Sequence, residues 1–223
     1  MKVAARWPVP PRPAVFIDKD GTLIHDIPYN TDPSRVRFTP HAIEGLSLLA
    51  RSGFALFIVT NQRGLATGRI GASEYDAMRA HIERRLRDEG AVALQGWYTC
   101  PHAPEITPDC GCRKPAPGLL QRAADEHGID LERSWMVGDI LDDVEAGRRA
   151  GCSAVLLDVG NETEWQMTPL REPQCYCPHL LAAAEAIVAQ ARPQAAGTPP
   201  PPEGVESSGK ATSTQERNVE EAR

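Results

Sequence analysis

At 223 residues, with 41% hydrophobic and 24% charged content, the chain has the proportions of one globular domain with a substantial core. Its formal charge of −6 argues against a nucleic-acid backbone as the main partner, so an anionic substrate must find its positive charge locally. No apolar run approaches a membrane span and the first residues lack the apolar region of a signal peptide, so the expectation is a soluble cytoplasmic monomer.

Residues 1–12 are proline-rich and read as an irregular lead-in. PAVFID (13–18) reads as a buried strand. TPHAIEGLSLLARSG follows as a helix, with Thr39 as N-cap, Pro40 in the first turn and Gly53 as its stop. FALFIVT (54–60) is a second continuous apolar strand. SEYDAMRAHIERRLRDEG opens with a capping-box pattern from Ser73 to Asp76 and carries Tyr75, Met78, Ile82 and Leu86 at helical spacing up to Gly90. A third strand is expected over Val92–Tyr98, a helix over PGLLQRAADEHG and a fourth strand over SWMVGD (134–139). DDVEAGRRAG, SAVLLDV (153–159) and His179–Ala191 complete the series as helix, strand and helix. This alternation predicts an α/β fold over 13–191, a Rossmann-like parallel sheet with helices on both faces. From 192 to 223 the composition is rich in Pro, Gly, Ser and Thr, with almost nothing to bury, and reads as a disordered tail.

Sheets of this type bind ligands at the carboxyl ends of their strands. Asp18 and Asp20 stand at the end of the first strand, Thr60 and Asn61 at the second, Gly138 and Asp139 at the fourth. Individually, Asp and Gly there are ordinary turn residues. Together, three carboxylates at adjacent strand ends suit a hard divalent cation such as Mg²⁺, which commonly takes one or two carboxylates plus a substrate phosphate. Thr60 and Lys114 can then hold phosphoryl oxygens, with Asp18 as candidate nucleophile and Asp20 as candidate proton donor and acceptor.

DKDGTL (18–23), VTNQ (59–62), RKP (113–115) and GDILDD (138–143) together resemble the four ordered motifs of the haloacid dehalogenase superfamily of phosphohydrolases. The resemblance implies an aspartyl-phosphate formed on Asp18, proton transfer by Asp20 and phosphate binding by Thr60 and Lys114. It also implies Mg²⁺ held by Asp18, the backbone carbonyl of Asp20 and Asp139, with Asp143 acting on the metal through water. Asp142 reads as a helix-start residue.

Cys100 and His102 in CPH, and Cys110 and Cys112 in CGC, offer three thiolates and one imidazole on a short loop. That donor set suits a closed, structural tetrahedral Zn²⁺ site; the alternatives are free thiols or a redox pair. Cys152, Cys175 and Cys177 have no matching partner, and His25, His41, His81, His127 and His179 read as exposed or capping residues. The zinc loop followed by CRKPAPG is similar to a subgroup that contains heptose-1,7-bisphosphate 7-phosphatases, which serve ADP-heptose and lipopolysaccharide core synthesis, and histidinol phosphatases. HDIPYNTDPSRVRFTPHA (25–42) looks more like the heptose branch. There Asp26 and Tyr29 are implied to contact the sugar phosphate, Asn61, Gln62 and Arg63 to line the substrate, and Arg113 to read a second phosphate. Arg63 departs from a position where smaller residues are frequent, and NETEWQMTPLREPQCYC (161–177) matches no motif.

Neither the stretch from Gly21 to Pro40 nor that between the second and third strands can hold a cap domain. The expected site is open, walled by loops 24–38 and 100–113. A phosphotransferase would need a cap to keep water from the intermediate. A catalytically dead binding module would not need every one of these residues.

Overall fold

The computed structural model describes residues 11–191. The lead-in expected over 1–12 lies almost wholly, and the tail expected over 192–223 wholly, outside the described residues.

Runs of apolar residues form strands because both sheet faces are covered here, so neither alternation needs to be polar. The strands are β1 (Ala14–Ile17), β2 (Ala55–Asn61), β3 (Gly96–Cys100), β4 (Trp135–Gly138), β5 (Ser153–Leu157) and β6 (Cys175–Cys177). They pair in parallel in the order β3-β2-β1-β4-β5-β6. Between them run α1 (Ala42–Arg51), α2 (Arg63–Ala66), α3 (Ala72–Gly90), α4 (Gly118–His127) and α5 (Leu141–Ala150), with α6 (Leu180–Ala191) last. Val15 and Ile17 pack on one face with Leu46 and Leu49 of α1, Met78, Ile82 and Leu86 of α3, and Ile187 of α6. Phe16 packs on the other with Leu119, Leu120 and Ala123 of α4 and Ala146 of α5. This is the expected α/β sheet.

The chain winds outward from β1 through β2 to β3, then returns to the other side of β1 and continues through β4 to β6. The order therefore reverses between β1 and β4, and the crevice at that switch point is where such sheets take ligands. Asp18 leaves β1 there and Asp139 leaves β4. No helix among the described residues is long and apolar enough to cross a membrane.

Local signals misplaced several boundaries. Helix α1 begins three residues after Thr39, with His41 at its N-cap in the left-handed region at φ 59°. The Thr39 hydroxyl is instead spent on the Thr22 carbonyl at 2.6 Å, pinning this segment to the turn after β1. The capping box on Ser73 does not form: Gly71 holds the N-cap of α3, and Ser73 Oγ donates to Glu74 at 3.2 Å. Strand β3 starts four residues later than Val92, because Val92 closes α3 through a bond to the Leu86 carbonyl and the side chain of Gln95 occupies the Leu56 N–H. Strand β6 was not foreseen. Its three residues bury Cys177 and leave Tyr176 out, too short an alternation to register as a strand.

Helices α1 and α6 meet at Gly45, where an added Cβ would stand 2.8 Å from the backbone of Leu180. Backbone cannot rotate aside as a side chain can. Gly45→Val is therefore expected to destabilise by about 1–3 kcal/mol through overpacking. Thermal unfolding should show a Tm several degrees lower.

Candidate active site and metal centres

Lys114 sits at the bottom of the crevice, 2% exposed. Its ammonium donates to Asp18 Oδ1 and to the Val59 carbonyl at 2.9 Å. It also forms an ion pair with the buried Asp143 Oδ1 at 2.6 Å. Burial alone would lower the Lys114 pKa, but Asp143 and Asp18 hold it above the ordinary lysine range. Asp139 completes the group, and ligand oxygens of Asp18, Asp139 and Asp143 all fall within 4.8 Å of one another. Thr22 Oγ1 donates to Asp139 Oδ1 at 2.7 Å and Asn161 Nδ2 to Oδ2 at 2.8 Å.

Three carboxylates against one ammonium leave an excess of two negative charges in a buried place. Burial pushes Asp18 well above the carboxylate range despite Lys114, and it raises Asp139, with help from Asp143, to about 6. A divalent cation among these oxygens supplies the missing charge, and an all-oxygen donor set is what Mg²⁺ takes. The donors fit the ion. Asp18 and Asp139 fall together in this group, and Asp143, which joins them, is engaged by Lys114 directly.

Asp20 projects beside this group. Lys19 lies 2.7 Å from one of its carboxylate oxygens, and Gln62 Nε2 donates to the other at 2.7 Å. Gln62 also donates to Thr60 Oγ1 at 2.9 Å, so its amide nitrogen bridges Asp20 and Thr60. Asn61 is half-buried: its Nδ2 donates to the Lys114 carbonyl and its Oδ1 accepts the Lys114 N–H, both at 3.1 Å. Expected among the substrate residues, it borders the cavity and also locks the backbone that carries Lys114.

Above lies a cavity of about 470 Å³ bordered by Asp26, Tyr29, Arg63, Arg113 and Asn161 as well as by the acids. Tyr29 is held at φ 57°, rare for a bulky residue, with the Arg69 guanidinium 4.9 Å from its ring centre. Arg113 donates to the His102 carbonyl at 3.3 Å, and Arg63 pairs with Glu105 across the mouth. Loop 24–38 thus supplies a wall as foreseen. The contributions of Lys19, Asn161 and Glu105 were missed. Lys19 lies within the quoted motif, but nothing in the sequence signals the pairings of the other two.

Cys100, His102, Cys110 and Cys112 come together at the end of β3. Cys100 Sγ lies 3.7 Å from both His102 Nδ1 and Cys110 Sγ, and Cys112 Sγ lies 3.2 Å from Cys110 Sγ and 3.3 Å from His102 Nδ1. His102 Nδ1 and Cys110 Sγ are the nearest pair at 2.9 Å. Zinc bonds of usual length make tetrahedron edges of roughly 3.6–3.8 Å, so these donors stand at that size or inside it. Burial and then the neighbouring Cys100 and Cys110 push the Cys112 thiol far up, so three thiolates need a cation between them. The set fits Zn²⁺ with no open position. Cys112 directly precedes Arg113 and Lys114, and the loop is tied to α4 by the Gly118 N–H on the Gly111 carbonyl at 3.1 Å.

Asp18 and Asp139 both have raised pKa values and make the cation site pH-dependent. With its pKa raised to about 6, Asp139 holds a proton in the metal-free fold at pH 5 and is ionised at pH 7.5. The raised value costs stability above its folded pKa, and bound Mg²⁺ offsets that cost. A fixed Mg²⁺ concentration should therefore raise Tm more at pH 7.5 than at pH 5. Metal analysis should find about one zinc per chain, and Cys110→Ser should lower zinc content and Tm together.

The HAD-hydrolase-like family model matches residues 111–183. A D-glycero-beta-D-manno-heptose-1,7-bisphosphate 7-phosphatase of Mesorhizobium japonicum is 34% identical over 193 residues, covering 83% of this chain and 88% of its own. The Escherichia coli K12 protein of the same name is 34% identical over 174 residues, covering 72% and 91%. Among solved structures, a D,D-heptose 1,7-bisphosphate phosphatase from B. bronchiseptica, complexed with magnesium and phosphate, superposes with a TM-score of 0.72 at 28% identity, covering 80% of this chain and 99% of that one. Likeness at 34% identity that extends over nearly the whole of the first two relatives makes this chain a member of the HAD-like hydrolases, among their phosphatases.

Proposed function

We propose that the chain hydrolyses the 7-phosphate of D-glycero-beta-D-manno-heptose 1,7-bisphosphate, using residues within 13–191. One observation carries the chemistry: Asp18, buried and paired to Lys114, opens onto the same cavity as Asp20. The relatives' names supply the substrate, and Arg113 and Arg63 at the cavity mouth suit its second phosphate, since guanidinium forks onto phosphate oxygens.

In this reading a carboxylate oxygen of Asp18 attacks phosphorus, and the bond from phosphorus to the sugar oxygen breaks as Asp20 gives that oxygen a proton. Asp20 then takes a proton from water as the water attacks the aspartyl-phosphate, releasing phosphate and restoring Asp18. Lys114 and Thr60 hold phosphoryl oxygens, while Asp143 fixes Lys114 from the far side. Lys19 and Gln62 fix the Asp20 carboxylate between them. Asp18, the Asp20 carbonyl and Asp139 would hold Mg²⁺, which when bound would supply positive charge against that building on the phosphoryl group. No cap covers the cavity among the described residues, so water can reach the intermediate, which favours hydrolysis over transfer. Free thiols throughout the described residues agree with a cytoplasmic setting.

Asp18→Asn is expected to keep the fold and lose turnover, and Asp20→Asn to cost on the order of 10²–10⁴ in kcat. Arg113→Ala should raise KM for the bisphosphate far more than for an aryl phosphate. Phosphate release from a panel of sugar mono- and bisphosphates, with histidinol phosphate included, checks the substrate directly. Preference for a monophosphate, or equal effects of Arg113→Ala on both substrates, would contradict the reading.

A further inference from the structure

The segment after β5 matches no motif, yet it reaches into the site at three points. Asn161 Nδ2 donates to Asp139 Oδ2 at 2.8 Å. Glu162 Oε2 accepts the Leu141 N–H at 2.7 Å, satisfying the first residue of α5, whose N-cap Ile140 has no side-chain acceptor to offer. Arg171 reaches Glu145 at 2.6 Å and Asp142 at 2.8 Å on the same helix. These contacts converge on the carboxylate of Asp139 and on the first turn of α5, which carries Asp143.

Space for the first contact is reserved by a neighbour. A Cβ at Gly21 would stand 2.2 Å from Asp139 Oδ2 and 2.6 Å from Asn161 Nδ2. Gly21 also sits at φ +84°, where a side chain is strained, so the turn after β1 leaves room for this amide on two counts.

We propose that Asn161 is a positioning residue of the Mg²⁺ site, orienting the Asp139 carboxylate toward the cation. This rests on reading Asp139 as a cation ligand. A carboxylate has two oxygens and about four acceptor directions. Thr22 on Oδ1 and Asn161 on Oδ2 each take one, fixing the carboxylate plane from both sides. With Thr22 alone, the carboxylate can swing about its remaining bond. Asn161 as a residue is exposed, so water can enter in its place. A water, however, is not tethered to the backbone and does not fix an orientation. Partners that orient metal ligands in this way typically matter 10–100-fold in metal affinity. Glu162 and Arg171 brace α5 alongside and give the segment its purpose.

The test is calorimetric titration of Mg²⁺ into the metal-stripped full chain, zinc retained, for wild type, Asn161→Ala, Asn161→Leu and Asp139→Asn. Leu keeps the heavy-atom count and branching of Asn and removes its donor, so it separates space-filling from hydrogen bonding. Both Asn161 variants should bind Mg²⁺ 10–100-fold more weakly. In kinetics, their loss should show as a higher Mg²⁺ requirement rather than a lower plateau. Wild-type affinity in both variants would overturn the proposal, as would wild-type affinity in Asn161→Leu alone. A lower Tm of the metal-free variants with unchanged Mg²⁺ affinity would also overturn it, reducing the segment to a structural brace. Wild-type affinity in Asp139→Asn would overturn the ligand assignment and the proposal with it, distinguishing that failure from a failure of Asn161 alone.

Discussion

The burial of Lys114 between Asp18 and Asp143 is the constraint on which the site depends. Removing charges from water is costly, and an ion pair repays that cost only when geometry and hydrogen bonds are good. Here the ammonium has Asp18, Asp143 and the Val59 carbonyl around it, so it is well compensated. The acids are not. With Asp139 included they exceed the ammonium by two charges, and the excess sits where a divalent cation and a phosphoryl group can meet. What looks like an electrostatic fault in the metal-free chain is a driving force for taking up the ion, whose charge then offsets the repulsion an anionic substrate would meet.

Topology supplies the acids and the zinc loop supplies the base of the cavity. Reversal of strand order between β1 and β4 brings Asp18 and Asp139 to one crevice although 121 positions separate them in the numbering. Lys114 comes from neither strand. It reaches in from the loop after β3, held by Asn61 through both its backbone N–H and carbonyl. The thiol and imidazole cluster fixes the same loop just before Arg113. A metal with four protein donors has no position for an activated water. Its effect on catalysis is therefore one of placement, and misplacement of about 1 Å can cost a hundredfold in rate.

Much of this was legible in the sequence because each main catalytic group ends a strand or follows a pair of metal-ligand types. Asp18, Thr60 and Asp139 are marked by the apolar runs they close, and the zinc donors by their spacing. Residues whose role lies in a distant pairing were not legible. Asn61 and Gln62 border the cavity, but nothing in the sequence signals that their amides also bond to the Lys114 backbone and to Asp20. Thr39 and Ser73 carry capping signals, but Thr39 is drawn to the Thr22 carbonyl and Ser73 lies inside its helix. Strand β6 escaped because three residues give no period to read, and its pairing with β5 decides its state.

The account stands on Asp18 forming a covalent bond to the phosphoryl group. Reductive trapping with borohydride during turnover of the bisphosphate, followed by peptide mass analysis, tests this most directly. An acyl phosphate on Asp18 should be reduced, giving the mass of homoserine at position 18, dependent on both substrate and Mg²⁺. Turnover at the normal rate with no modification at position 18, or with the modification on Asp20, would contradict it.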